Sequence, residues 1–246
     1  MSFQTGFPWT LECHESLGST SDFCKIAADE GAPHGMAVLA FRQTAGRGTR
    51  GRQWDAPEGN LSFSFICRDA HCDALVEIMP FLLAVALHDA LASCVANAPL
   101  RIKWPNDITA HGAKLAGVLI ERGGTGESSW IVTGIGVNIR SAPTITGRKT
   151  VALATLGAQI DAPSLARLIL DQVGLWLGRW KRDGFAPLRQ AWLDRAHEPG
   201  SRLAVQRGEN YIEGFFAGLD ERGRLLLQTD LNEVQTFAAG DILLLG

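Results

Sequence analysis

The chain has 246 residues, 46% hydrophobic and 20% charged, with a formal net charge of −3. That balance suits a soluble globular protein built as one large domain, or as a main domain with a smaller partner. It excludes a general nucleic-acid binder, which needs surplus positive charge to release counterions. No uninterrupted apolar stretch approaches the ~20 residues of a membrane span.

The opening residues, MSFQTGFPWTLECHE, lack the basic start and apolar run of a signal peptide. Ser19-Thr20-Ser21-Asp22 predicts a helix N-terminus, with Ser19 as cap and an acid three positions on; this helix ends near Gly31-Ala32-Pro33. Gly35–Phe41 reads as a buried strand. Arg42–Gly59 carries glycines and arginines without apolar periodicity and reads as a long functional loop. Leu61–Cys67 alternates as a strand, and Asp73–Ala96 reads as a core helix that begins or kinks at Pro80.

Four strand-like pieces follow, Leu100–Lys103, Ile108–Ala110, Lys114–Glu121 and Trp130–Ile139, with His111-Gly112 as a hairpin turn. Ser164–Trp180 and Phe185–Arg195 are helical. After Glu198-Pro199-Gly200 come five short strands, Leu203–Gln206, Tyr211–Ala217, Leu225–Gln228, Val234–Phe237 and Ile242–Leu245, joined by turns such as Arg207-Gly208-Glu209-Asn210. Their texture predicts a small SH3-like β-barrel and a domain boundary near 199. The five cysteines, Cys13, Cys24, Cys67, Cys72 and Cys94, form no C-x-x-C pair. Cys67, His71 and Cys72 lie close enough to raise zinc, but free thiols in a reducing cytosol are the simpler reading.

Ala45–Trp54, AGRGTRGRQW, contains a literal G-x-G-x-x-G. A dinucleotide fingerprint needs a helix opening on the last glycine, since the pyrophosphate sits on that helix N-terminus. Gly51 is instead followed by RQWDAPEGN and then a strand, so the match fails in context. Gly46, Gly48 and Gly51 let backbone N–H groups gather around an anion, and Arg47, Arg50 and Arg52 supply guanidinium groups suited to phosphate or carboxylate. Held empty, such a loop would set flexible glycines among repelling arginines, so it is expected to order on ligand binding. A solvated basic loop would explain it equally well in isolation.

Lys103-Trp104-Pro105-Asn106-Asp107 adds a cation, an aromatic, a rigid turn and a carboxylate at a strand end, a common site arrangement. Lys114 opens an otherwise apolar strand, either beside a pocket or snorkelling at an edge. Gly134-Ile135-Gly136-Val137-Asn138 is a glycine-punctuated strand ending in an amide.

Together these segments resemble biotin protein ligases. The family pattern G-R-G-R-x-G-R-x-W is matched by Gly46–Trp54, K-W-P-N-D by Lys103–Asp107, K-L-A-G-I/V-L-x-E by Lys114–Glu121 and G-I/A-G-x-N by Gly134–Asn138. The S-T-N element is echoed by Ser19-Thr20-Ser21, and the blocks stand in the family's order over nearly the whole chain. The resemblance implies an α+β fold: a mixed β-sheet catalytic domain flanked by helices over 1–198, and an SH3-like β-domain over 199–246. It implies a two-step reaction in which ATP and biotin, with Mg²⁺, form biotinyl-5′-AMP, and a lysine of a biotin carboxyl carrier domain, as in acetyl-CoA carboxylase, then takes the biotinyl group.

On the same resemblance, Ser19, Thr20, Ser21, Gln43, Gly46, Gly48, Thr49 and Gly117 would bind biotin. Arg47 would wrap biotin and the adenylate phosphate, and Lys114 would stabilise charge where carboxylate and phosphate meet; both are the implied catalytic residues. Arg50, Trp54, Lys103, Asn106 and Asn138 would contact the nucleotide, Trp54 near the adenine. Asp107 would help hold Mg²⁺ or orient the acceptor lysine. Two departures stand out: Thr49 replaces the family's usual arginine, with Arg50 as a candidate to compensate, and Ser21 replaces asparagine. The Ser19-Thr20 element lies too near the start for an N-terminal DNA-binding domain, so a short cytoplasmic form is expected, with neither DNA nor membrane as partner; a homodimer through sheet edges stays open. The rivals are a lipoate or octanoate ligase, which shares the fold, and a non-catalytic biotin-binding regulator.

Overall fold

The computed structural model describes residues 9–69, 71–95, 98–207, 210–231 and 233–245. The first eight residues, the Ala96 end of the expected core helix and Gly208-Glu209 of an expected turn lie outside them. Two β-sheets organise the chain. The larger has seven strands: β1 (Thr10–Leu17), β2 (Met36–Gln43), β3 (Leu61–Cys67), β4 (Leu100–Lys103), β5 (Asp107–Ala110), β6 (Ala113–Gly123) and β7 (Trp130–Val137). Their order is β1-β2-β3-β7-β6-β5-β4, with β1 and β2 parallel and the other pairs antiparallel.

The two sheet faces are covered unequally, and that positions the site. One face carries α2 (Cys72–Ala92) and α3 (Ala162–Asp183), with Leu39, Phe63, Phe65 and Ile131 packed beneath them. The other carries only α1 (Thr20–Asp29), ten residues long, over Val38, Ile66 and Val132. Side chains alternate along a strand. Ile66 and Val132, Ser64 and Gly134, and Ser62 and Gly136 are therefore successive cross-strand pairs on the α1 face. Along that face the apolar pair under the helix gives way to serines and glycines beyond its N-terminus. The helix stops where the side chains stop being able to form a core.

Ser19 caps α1 as expected, its Oγ accepting from the Asp22 N–H at 3.4 Å. α2 begins at Cys72 rather than at Pro80 and runs through the proline for 21 residues. It is thereby long and apolar enough to cross a membrane, although its sequence is broken by Asp73, Glu77 and Asp89; thirteen of its side chains are buried in the protein core. α3 starts two residues before the expected Ser164, because Asp161 is the cap and accepts from the Ser164 N–H at 2.7 Å. α4 (Phe185–Leu193) stops short of Arg195. The expected strands are all present, β6 one residue longer at its start and β7 two shorter at its end.

The second sheet comprises β8 (Arg202–Arg207), β9 (Asn210–Leu219), β10 (Leu225–Gln228), β11 (Val234–Phe237) and β12 (Ile242–Leu244), all antiparallel in the order β11-β10-β9-β8-β12. The five expected strands are there, but β11 and β12 are not paired to each other, so the sheet is open rather than a closed barrel among the described residues. Trp192 of α4 joins the two units: its ring packs edge-on to Phe81 of α2 and Phe216 of β9.

Candidate functional site

The uncovered end of the α1 face opens into a cavity of about 1040 Å³. Its floor is made of small residues. Ser62, Gly136 and Gly117 lie in register on three adjacent strands, and each lines the cavity. A Cβ at Gly136 would collide with the indole of Trp54, and one at Gly117 would come within 3.0 Å of Lys114 Nζ. These glycines admit the working side chains.

At one end the walls are polar and uncharged. Gln43 Oε1, at the end of β2, accepts from the Thr20 backbone N–H at 2.8 Å and from its hydroxyl at 3.1 Å. Ser64 Oγ lies 2.8 Å from Thr20 Oγ1 and 3.1 Å from Ser21 Oγ. Ser19, Thr20 and Ser21 are all nearly buried. Such a cluster offers both donors and acceptors to a neutral polar head.

The other end is charged. Lys114 Nζ lies 2.7 Å from Asp107 Oδ1 and 5.8 Å from the Trp54 ring centroid. Its backbone is clasped by the segment after β7: its N–H donates to the Lys149 carbonyl at 2.8 Å, and its carbonyl accepts from Val151 N–H at 3.0 Å. Nearby, burial pushes the Lys103 ammonium down against the pull of Asp107, with Lys114 and Arg148 adding to the effect. The Trp104-Pro105 turn, whose peptide is cis, is tied down by two indoles. Trp104 Nε1 donates to the Gly223 carbonyl at 3.2 Å, and Trp192 Nε1 to the Pro105 carbonyl at 3.1 Å.

The glycine loop forms a hairpin, Gly48 N–H to the Arg52 carbonyl at 2.7 Å and Trp54 N–H to Gly46 carbonyl at 3.0 Å. No helix follows Gly51, as the failed fingerprint required. The expectation of repelling arginines is corrected: each has an acidic partner within the chain. Arg47 reaches Glu121 at 2.6 Å and Asp22 at 2.9 Å, while Arg50 and Arg52 meet Asp241 at 3.0 and 3.1 Å. Arg50 adopts the left-handed region at φ 59°, which aims it at that carboxylate. Although burial works to raise it, Arg52 and Arg50 hold the Asp241 carboxyl below its usual range. Thr49 Oγ1 accepts from Arg52 Nη2 at 2.9 Å, so the guanidinium that meets Thr49 is Arg52's.

Ser19, Thr20, Ser21, Gln43, Arg47, Gly48, Thr49, Arg50, Trp54, Lys103, Asn106, Asp107, Lys114 and Gly117 all line the cavity. Gly46 does not; it lies behind the hairpin, where a Cβ would strike the Trp54 carbonyl. Nor does Asn138, which sits behind Lys114 and donates to the Lys114 and Val151 carbonyls at 3.4 and 3.2 Å. The motifs gave no reason to single out Ser62, Ser64, Asp22, Arg148 or Asp241. Three buried polar atoms of wall residues, Arg47 Nε, Trp54 Nε1 and Ser62 Oγ, have no hydrogen-bond partner among the described residues. Orphans gathered in one cavity ask for a polar ligand.

Residues 16–138 match the biotin/lipoate A/B protein ligase family, and residues 200–245 match the biotin protein ligase C terminal domain. A biotin--[acetyl-CoA-carboxylase] ligase of Paracoccus denitrificans is 36% identical over 199 residues, 78% of this chain and 83% of that one. One from Mycobacterium tuberculosis is 31% identical over 94% of this chain and 88% of its own. The structure superposes on the biotin protein ligase from Aquifex aeolicus in complex with biotin and ATP with a TM-score of 0.81, at 26% identity over 96% of this chain and 98% of that one. The chain belongs to the biotin/lipoate A/B protein ligase family, and within it to the biotin protein ligases.

Proposed function

We propose that the chain joins biotin to a lysine of a biotin carboxyl carrier domain in two steps through biotinyl-5′-AMP. The observation that carries this is one continuous cavity with a neutral polar end and a cationic end, joined over a glycine floor. The ureido ring of biotin is uncharged and carries both donors and acceptors, which the Thr20 and Gln43 groups complement, with Ser64 behind them holding Thr20; Ser19 and Ser21 close that end. The valeryl carboxylate then points toward Lys114.

In the first step a carboxylate oxygen attacks the α-phosphorus of ATP, and pyrophosphate leaves. The carboxylate is already ionised, so no base is needed; the barrier is charge, two anions brought together. Lys114, fixed by Asp107 and the 149–151 clasp, places one positive charge at that meeting point, and Arg47 adds a second once it leaves its acids. Trp54 offers a flat face for adenine, and Arg50, Lys103 and Asn106 reach the phosphates. In the second step a neutral lysine amine attacks the acyl carbon, AMP leaves, and the amine nitrogen loses a proton. Asn138 acts at one remove, by holding the Lys114 backbone.

Magnesium commonly binds through one or two carboxylates together with substrate phosphates. Among the described residues no group of three acidic, histidine or cysteine side chains stands ready for a metal. Asp107 fits the shared arrangement, since Lys114 takes only Oδ1. Bound with ATP, Mg²⁺ would neutralise phosphate charge. On the same reading residues 1–198 form the catalytic unit and 199–246 the C-terminal unit. The five cysteines are all free, in keeping with a cytosolic site of action.

The test is to incubate the chain with ATP, biotin and a carrier domain and to weigh the carrier. A biotin-sized gain is expected. A lipoyl-sized gain with lipoate and none with biotin, or no gain at all, would overturn the reading. A second measurement concerns Thr49. An arginine there would add a charged contact to the adenylate, so Thr49→Arg should slow biotinyl-adenylate dissociation by about tenfold. Stopped-flow chase measurements giving equal off-rates would contradict it.

A further inference from the structure

Asp241 belongs to the C-terminal unit, yet its carboxylate sits on the cavity wall among cations from elsewhere. Arg50 and Arg52 of the glycine loop are 3.0 and 3.1 Å away, and Arg148 is at 3.9 Å. Three arginines thus gather on a single carboxylate, a net surplus of two positive charges. One carboxylate is far too little charge for that surrounding, but a polyphosphate would match it. The arginines come from the loop and from the 145–148 turn, and the acid from the turn before β12. The contact is therefore also the tie between the glycine loop and the second unit. Its members are a third to a half exposed, so each pair is weak and exchangeable.

We propose that Asp241 is an internal stand-in for the β- and γ-phosphates of ATP: its carboxylate takes their cradle of Arg50, Arg52 and Arg148 and yields it when the nucleotide binds. The inference rests on the ATP reading above. The carboxylate competes with the incoming phosphates, and on displacement it releases the 238–242 segment from the glycine loop. Once pyrophosphate has formed, the same carboxylate competes for the arginines again and favours its departure.

Titration calorimetry on the full chain tests this, with ATP and, separately, inorganic pyrophosphate as probes. Asp241→Asn should bind both about three- to tenfold more tightly than the natural chain, the size expected when one partly exposed, ion-paired carboxylate stops competing. Glu213→Gln, which removes a carboxylate of the same unit paired with Arg202 outside the cavity, should change neither. Asp241→Ser repeats the test should the amide disturb folding. Hydrogen exchange supplies the second readout: ATP should raise exchange at 238–243 in the natural chain and leave it unchanged in Asp241→Asn. If the natural chain binds ATP and Asp241→Asn binds it equally or more weakly, the stand-in is overturned and the nucleotide reading survives. If neither chain binds ATP or pyrophosphate, both fall together.

Discussion

Lys114→Ala should slow adenylate formation by about 10²- to 10³-fold, the range found when a preorganised charge is removed from a developing anion, while the fold stays intact. The substitution removes the one ammonium held against Asp107 and over Trp54. It leaves Asp107 without its hydrogen-bonded cation, a carboxylate facing the phosphates it would otherwise help to admit. The backbone clasp from Lys149 and Val151 uses only main-chain atoms of residue 114 and survives the change. Biotin-dependent pyrophosphate release measures the effect, and circular dichroism checks the fold. Near-normal release would show that charge stabilisation at the reacting atoms does not depend on Lys114. Lys114→Arg separates charge from geometry: a guanidinium cannot fit where Gly117 leaves room for a compact ammonium, so only partial recovery is expected.

The largest stability effect should come from Trp192→Ala, at about 3–5 kcal/mol. Trp192 is only 1% exposed, so its removal leaves a hole that neighbouring elements fill poorly. It touches Phe81 of α2 and Phe216 of β9, and its indole N–H holds the Pro105 carbonyl. Urea denaturation should show the loss, and the surviving folded protein should also bind ATP less well, because the Lys103–Asp107 turn is no longer pinned. A cost under about 1 kcal/mol would mean that the site is anchored elsewhere. Trp192→Phe keeps most of the packing but not the hydrogen bond, so it should affect nucleotide binding more than stability.

The strands and helices that bury one face were legible in the sequence because burial imposes a period. β1 was not: it is an edge strand with mixed exposure along TLECHESL, so no alternation marks it. Pro80 misled in the other direction, because a proline in a long buried helix is tolerated when packing holds both halves. The site divides along the same line. Thr20, Gln43, Lys114 and the loop arginines stood in motifs. Ser62 and Ser64 were hidden in an ordinary alternating strand; Ser62 reaches the cavity floor beside Gly136, and Ser64 stands behind the wall, against Thr20 and Ser21. The pairings of Asp22, Glu121 and Asp241 with the loop arginines were hidden for a different reason. Pairing between an arginine and an acid 25, 74 or 189 positions away is set by tertiary closure, not by local spacing.

The shortness of α1 has a consequence for how the molecule can change. Because the helix covers only the apolar end of its sheet face, some of the residues that define the ligand's shape take no part in holding the sheet together. Ser62 and Leu119 line the cavity and stand outside the core, whereas their strand neighbours Phe63 and Val118 reach the cavity and also belong to the core beneath α2 and α3. Side chains of other sizes at positions 62 and 119 would remodel which acyl group is accepted with little cost to folding. Substrate range in this scaffold can thus drift through these two positions without repacking the core.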